Sequence, residues 1–165
     1  MTPRLIVILF SSFICVTHLF GQINANDSSE NCRGFLITPV NRYKVVHDID
    51  FIRSECSFDR KDSSLSFVTD RTCDVIAACA GKVISIEHDN DNSYFLITRI
   101  ANYFFCYSGL TKPIVKVGDE IQAGQKLARL TKRDNETEYQ LDFAMYKADL
   151  GSNIRCLNVC RWLNL

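Results

Sequence analysis

The sequence predicts an all-β fold, a single antiparallel β-sheet domain, and three observations carry that expectation. Apolar residues alternate with polar ones in short runs, the runs are rich in β-branched and aromatic residues, and Gly, Asn and Asp punctuate them. The composition, 47% hydrophobic with 11% aromatic residues, is ample for a packed core in one domain of 165 residues.

Taken in order, the predicted strands are Tyr43 to Val46, Leu65 to Thr69, Asp74 to Cys79, Lys82 to His88, Tyr94 to Ile100, Tyr103 to Ser108, Lys126 to Thr131 and Gln140 to Lys147. The run Asp89-Asn90-Asp91-Asn92-Ser93 is a turn signal, because Asn and Asp side chains bond their own backbone, and it closes a hairpin between the fourth and fifth strands. A calcium loop would use the same oxygens, but the glycine and distal glutamate of an EF-hand are missing. Gly81 and Gly118 mark further turns. In the last strand Leu141, Phe143 and Met145 alternate with Gln140, Asp142 and Ala144, so one face enters a core and the other meets a cleft or solvent. Only Asn158 to Leu163 offers a short C-terminal helical turn. No internal repeat is evident.

The expected organisation is a signal peptide at 1–21, a polar N-terminal segment at 22–42 and the β domain at 43–165. Arg4 followed by the apolar run Leu5 to Phe20 reads as a secretory leader, cleaved after Gly21 or, as second choice, Ala25. An uncleaved membrane anchor is the alternative, but the run is short and interrupted for a span. No stable membrane span is expected after cleavage, and the protein is expected to be secreted or periplasmic. Lysine plus arginine (19) equals aspartate plus glutamate (19), and the charges are interspersed, so nucleic acid is not an expected partner. Asn26-Asp27-Ser28 and Asn135-Glu136-Thr137 match the glycosylation acceptor pattern, which matters only in a eukaryotic host.

Cys15 would leave with the leader, and Cys32, Cys56, Cys73, Cys79, Cys106, Cys156 and Cys160 would remain, an odd set. An oxidising compartment favours disulfides or buried thiols among them, with one thiol over. A structural zinc site at Cys156 and Cys160 lacks a second ligand pair. Cys106 beside Tyr107 could suggest a thiol nucleophile, but no activating base is near it in sequence.

Two segments, Asp74 to Val83 and Val115 to Leu127, resemble the "V-x-A-x-x-x-G-x-V" and "V-x-x-G-D-x-V-x-x-G-Q-x-I" segments of the lysostaphin-like zinc endopeptidases, the duplicated hybrid motif fold. Tyr107-Ser108-Gly109-Leu110 lies where that family has "Y-x-H-L", and Tyr139 to Met145 where it has "P-H-L-H-F-E-V". Order and spacing agree from Asp62 to Lys147. The glycine-rich turn is also similar to that of biotinyl and lipoyl carrier domains, yet Lys147 has no matching second half after it.

The resemblance implies a groove in which enzymes of the family hold zinc with histidines and an aspartate, neutral imidazole and carboxylate being its natural ligands. By the resemblance Asp62, Ser66 and Asp142 stand at the ligand positions, and Gly109 and Gln140 at those of the two histidines that assist the attacking water, so no catalytic residue and no metal ligand is expected. Outside the leader the sequence holds only His47 and His88. A rearranged metal site of His47, Asp50 and Asp142 departs from the family spacing. The leading expectation is a noncatalytic exported protein without cofactor, whose former substrate groove binds a peptide, a peptidoglycan fragment or an exported protein. The alternatives are an active zinc endopeptidase with relocated ligands, cleaving peptidoglycan, and a disulfide-braced structural surface module.

Overall fold

The computed structural model describes residues 36–49, 64–89, 92–132, 137–148, 154–157 and 159–163, with the backbone alone at 45–49, 160 and 161. Among these residues ten strands and one helical turn follow in order: β1 (Lys44–Ile49), β2 (Ser64–Thr69), β3 (Asp74–Ile76), β4 (Gly81–His88), β5 (Tyr94–Ile100), β6 (Tyr103–Leu110), β7 (Glu120–Ile121), β8 (Lys126–Arg129), β9 (Tyr139–Ala148), β10 (Ile154–Leu157) and α1 (Cys160–Leu163). An eight-stranded sheet runs β1-β2-β9-β6-β5-β4-β7, with β10 also on β9, and β3 and β8 form a separate two-stranded ribbon. Every pairing is antiparallel. The all-β expectation therefore holds, with the ribbon added to the one large sheet.

Cα partners across an antiparallel ladder point to the same face, so the register sorts side chains. Leu65 faces Phe143, Phe143 faces Tyr107 and Tyr107 faces Leu96, and all four are fully buried. This core face continues in Phe67, Phe105, Leu141 and Met145. Its rings interlock around Phe143, whose centroid lies 5.0 Å from that of Tyr107 and 6.4 Å from that of Phe105. Burying so many large side chains removes apolar area from water at about 25 cal/mol per Å², which is the main force holding the sheet to its cover.

The ribbon supplies that cover at the Tyr107 end. The amide of Ala78, just after β3, donates to the Tyr107 hydroxyl at 3.0 Å. Val75, Leu127 and Ala128 of the ribbon are fully buried. At the other end α1 packs Trp162 on Tyr103, centroids 5.8 Å apart, while the Trp162 carbonyl accepts from the amide of Leu36 at 3.1 Å. Leu36 and Val40 are buried, so the packed chain extends N-terminal of Tyr43.

Several predicted boundaries shift for local reasons. The third strand ends at Ile76, not Cys79, because the ladder bulges between Val75 and Ile76 and the Ala77 amide turns to Gln125. The Lys126 strand ends at Arg129, while Leu130 makes an isolated bridge to Leu110. Strands β7 and β10 were not predicted. The hairpin of β4 and β5 is closed as expected, by the Asp89 amide on the Ser93 carbonyl at 2.8 Å. The leader, Gln22 to Asn31, Asp50, Asp62, Cys32, Cys56 and the acceptor asparagines lie outside the described residues. No described helix is long and apolar enough to cross a membrane.

Candidate functional site

Opposite the core face, the central strands build a second row of side chains. Ser66 on β2 and Ser108 on β6 are both Cα partners of Asp142 on β9, so the three stand side by side across the sheet. Gln140 lies two residues before Asp142 and thus on the same face. The Ser66 hydroxyl donates to Asp142 Oδ1, Gln140 Nε2 donates to the same oxygen at 2.7 Å, and Nε2 also lies 3.2 Å from Ser66 Oγ. Ser66 is 1% and Asp142 4% exposed, and Gln140 is half-buried. A carboxylate can stay so dry only when hydrogen-bond donors replace its water.

Here the structure departs from the simple alternation expected along β9. Asp142 and Ala144 do not open into solvent, since Asp142 carries the cluster and Ala144 packs with Phe95 and Cys106, against which Ile97 and Tyr146 lie. The face is therefore polar at the Gln140 end and apolar further along. Cys106 belongs to that apolar patch.

Of the residues singled out from sequence, the structure brings Ser66, Gln140 and Asp142 into direct contact. Gly109 follows Ser108 on β6 and is buried, with its carbonyl accepting from the Thr131 amide at 3.0 Å. The register with β5 gains a residue in β6 between Tyr107 and Leu110, and Gly109 takes φ +85° there. That left-handed bulge suits glycine and would strain any imidazole-bearing residue. Asp62 lies outside the described residues. Ser108 was not anticipated, and its only sequence signal is its place beside Gly109.

His47 pairs with Leu65, one step out of the Ser66–Asp142 row. His88 is exposed at the hairpin and edge-on to Tyr94, with ring centroids 4.8 Å apart. Among the described residues no three His, Cys, Asp or Glu side chains gather closely enough to hold a metal. The donors described at the family's ligand and water-assisting positions, Asp62 lying outside the described residues, do not make a zinc set either. Ser66 offers a neutral hydroxyl, Gln140 turns its amide nitrogen inward, Gly109 has no side chain, and the Asp142 oxygen they approach already accepts hydrogen bonds.

Disulfide bracing is not found at two of the expected positions, where Cys73 and Cys79 are free thiols. Cys79 is buried in the turn between β3 and β4, and burial pushes its thiol up from 9.0 to about 12. Burial also raises the Cys73 thiol, against a hydrogen bond with Thr69 that lowers it. Neither carries the depressed pKa of a reactive cysteine. Tyr107 is raised as well, chiefly by its complete burial.

Comparison with known proteins agrees with this architecture. No curated protein matches the sequence. Among solved structures, the catalytic domain of lysostaphin, an antimicrobial peptidase from Staphylococcus simulans, is similar at 23% identity and TM-score 0.51, covering 62% of this chain and 78% of that domain. Against the whole of lysostaphin this chain spans 42% of the length. Helicobacter pylori Csd3 is similar at TM-score 0.60 and 16% identity, over 79% of this chain and 33% of that one. A chain of the SpoIIQ–SpoIIIAH pore-forming complex matches at TM-score 0.55 and 18% identity, over 82% of this chain and 92% of that one. At such identities the likeness is one of fold. Residues 60–154, more than half of the sequence, match the profile of Peptidase family M23, and this chain belongs to that family.

Proposed function

We infer that this chain is an exported, noncatalytic M23-fold protein, secreted or periplasmic, that binds a peptide, a peptidoglycan fragment or a protein partner on the former substrate face. The observation that carries the reading is the Ser66–Gln140–Asp142 cluster. Hydrolysis of a peptide bond by this fold needs a Lewis acid and a group to activate water. The cluster supplies neither among the described residues, and it answers the buried carboxylate with hydroxyl and amide hydrogens instead. The likeness to a chain of a pore-forming complex favours a role in binding for such a domain, while lysostaphin, a peptidase, represents the catalytic use of the same fold.

Elemental analysis of the purified protein, beside a chelator-treated control, tests this directly. The expected result is no stoichiometric zinc, together with no chelator-sensitive release of peptides from peptidoglycan. Stoichiometric zinc accompanied by such release would replace this reading with an active endopeptidase using relocated ligands. Retention on peptidoglycan or on a peptide column separates a binding protein from a purely structural module.

A further inference from the structure

Strand β3 pairs with β8 on one side, and a strap of residues 36–40 runs antiparallel along its other edge. The Ile37 amide donates to the Ala78 carbonyl and the Ile76 amide to the Pro39 carbonyl, both at 2.9 Å. The Leu36 amide donates to the Trp162 carbonyl of α1 at 3.1 Å. Leu36, Pro39 and Val40 are buried, so the seat is shaped for these side chains and covers a strand edge that would otherwise be open to pairing. The strap and α1 both lie outside residues 60–154, the part that matches the family profile.

The connection from the strap to β1 is of a different kind. Asn41 and Arg42 are exposed, and Arg42 takes φ +57°, a left-handed conformation that costs free energy in a residue with a side chain. On either side the chain is fixed, by the buried Val40 and by Tyr43, whose ring meets Phe67 edge-on with centroids 4.9 Å apart. Closing the strap onto its own domain therefore bends the chain at a residue that resists the bend.

We propose that the strap is exchanged between two copies of this chain, residues 36–40 of one seating on β3 and α1 of the other. A second copy is the occupant because its strap carries the same Leu36, Pro39 and Val40 that the seat already fits. Exchange keeps every contact of the seat, so the balance is decided at the hinge. There an opened connection frees Arg42 from its left-handed turn in both copies at once, and short strained hinges favour such exchange. The resulting pair is symmetric and carries two Ser66–Gln140–Asp142 faces.

The experiment refolds the purified protein from urea, with a reductant present to remove disulfide-linked dimers, and weighs the product by light scattering after size exclusion. Concentrations run from about 10 µM to about 1 mM, up to the effective concentration of a short tether acting within one copy. A dimer fraction that grows with concentration is expected. Arg42→Gly, which takes the left-handed turn without strain, is expected to weaken the dimer at least about tenfold. In dimers formed from isotope-labelled and unlabelled copies, the Ile37 methyl group should contact Gly124 of the other copy, since the two are neighbours in the closed form. A chain that stays monomeric over the whole range overturns the proposal. So does a dimer that Arg42→Gly leaves unchanged, or one whose Ile37–Gly124 contact stays within a copy, because its interface then lies elsewhere.

Discussion

Asp142 is the residue on which the site turns, because it is a carboxylate in a place where water is nearly absent. Its Oδ1 accepts from Ser66 across the β2–β9 ladder and from Gln140 along β9, so the same atom ties two strands. Removing one partner of a buried pair costs more than the bond itself contributes, since the other partner keeps its desolvation penalty. Ser66→Ala and Asp142→Ala are each expected to destabilise the protein by about 1–3 kcal/mol. The double variant should cost clearly less than the sum of the two, since the second truncation no longer breaks the Ser66–Asp142 bond, already lost with the first. Urea denaturation of the four proteins in the cycle measures this. Strict additivity would mean that Ser66 and Asp142 do not interact in solution.

At the scale of the strands, glycine marks where two backbones come too close for a side chain. A Cβ on Gly81 would lie 2.6 Å from the carbonyl oxygen of Arg99, the strand partner of Lys82, and a backbone atom cannot swing aside. A Cβ on Gly118 would meet nothing within 4 Å, but the residue sits at φ +97°. Gly81→Ala should therefore cost about 1–3 kcal/mol by pushing β4 and β5 apart. Gly118→Ala should cost about 1–2 kcal/mol from backbone strain alone and leave the ladder intact. Hydrogen exchange of the β4 and β5 amides distinguishes them: only the Gly81 variant should lose protection there, and equal loss in both would refute the distinction.

Both glycines were visible in the sequence as turns, but the close approach at Gly81 was not, because it depends on the bend of β4 against Arg99. The same limit explains the other gains and misses. The Asp89 to Ser93 hairpin and the core face of β9, Leu141, Phe143 and Met145, were legible because each is encoded within a few residues. Strand β7 is only two residues long, Glu120–Ile121, and carries no period to read. The positions of Ser66, Gln140 and Asp142 came from motif spacing. That they would close on one another could not, since Ser66 and Asp142 are 76 residues apart and meet only when β2 lies beside β9. Ser108 was missed for the same reason: its place opposite Asp142 exists only in the register.

For the molecule as a whole, the buried protonated groups at the junction of sheet and ribbon determine how it responds to alkali. Cys79 follows Ala78, whose amide holds the Tyr107 hydroxyl, so the thiol and the phenol share one dry region between the two layers. In the unfolded chain the thiol loses its proton around 9.0, whereas in the native state it holds it to about 12. Between those values the native state binds more protons than the unfolded state, so stability falls as pH rises; below about 9 the contribution is complete. Cys79 alone sets a slope that approaches about 1.4 kcal/mol per pH unit within that window. Tyr107 and Cys73, whose pKa values are raised in the same direction, add to the loss above their own unfolded values. Cys79→Ala deletes the first contribution and keeps that of Cys73 and the larger, burial-driven part of that of Tyr107, whose pKa the neighbouring Cys79 also raises. Its stability at neutral pH should be lower, through the small cavity left behind, but its decline from pH 9 to 12 should be shallower. Urea midpoints for both proteins at intervals across this range measure the difference. Parallel curves would place the Cys79 thiol in contact with water and refute a sealed junction between sheet and ribbon.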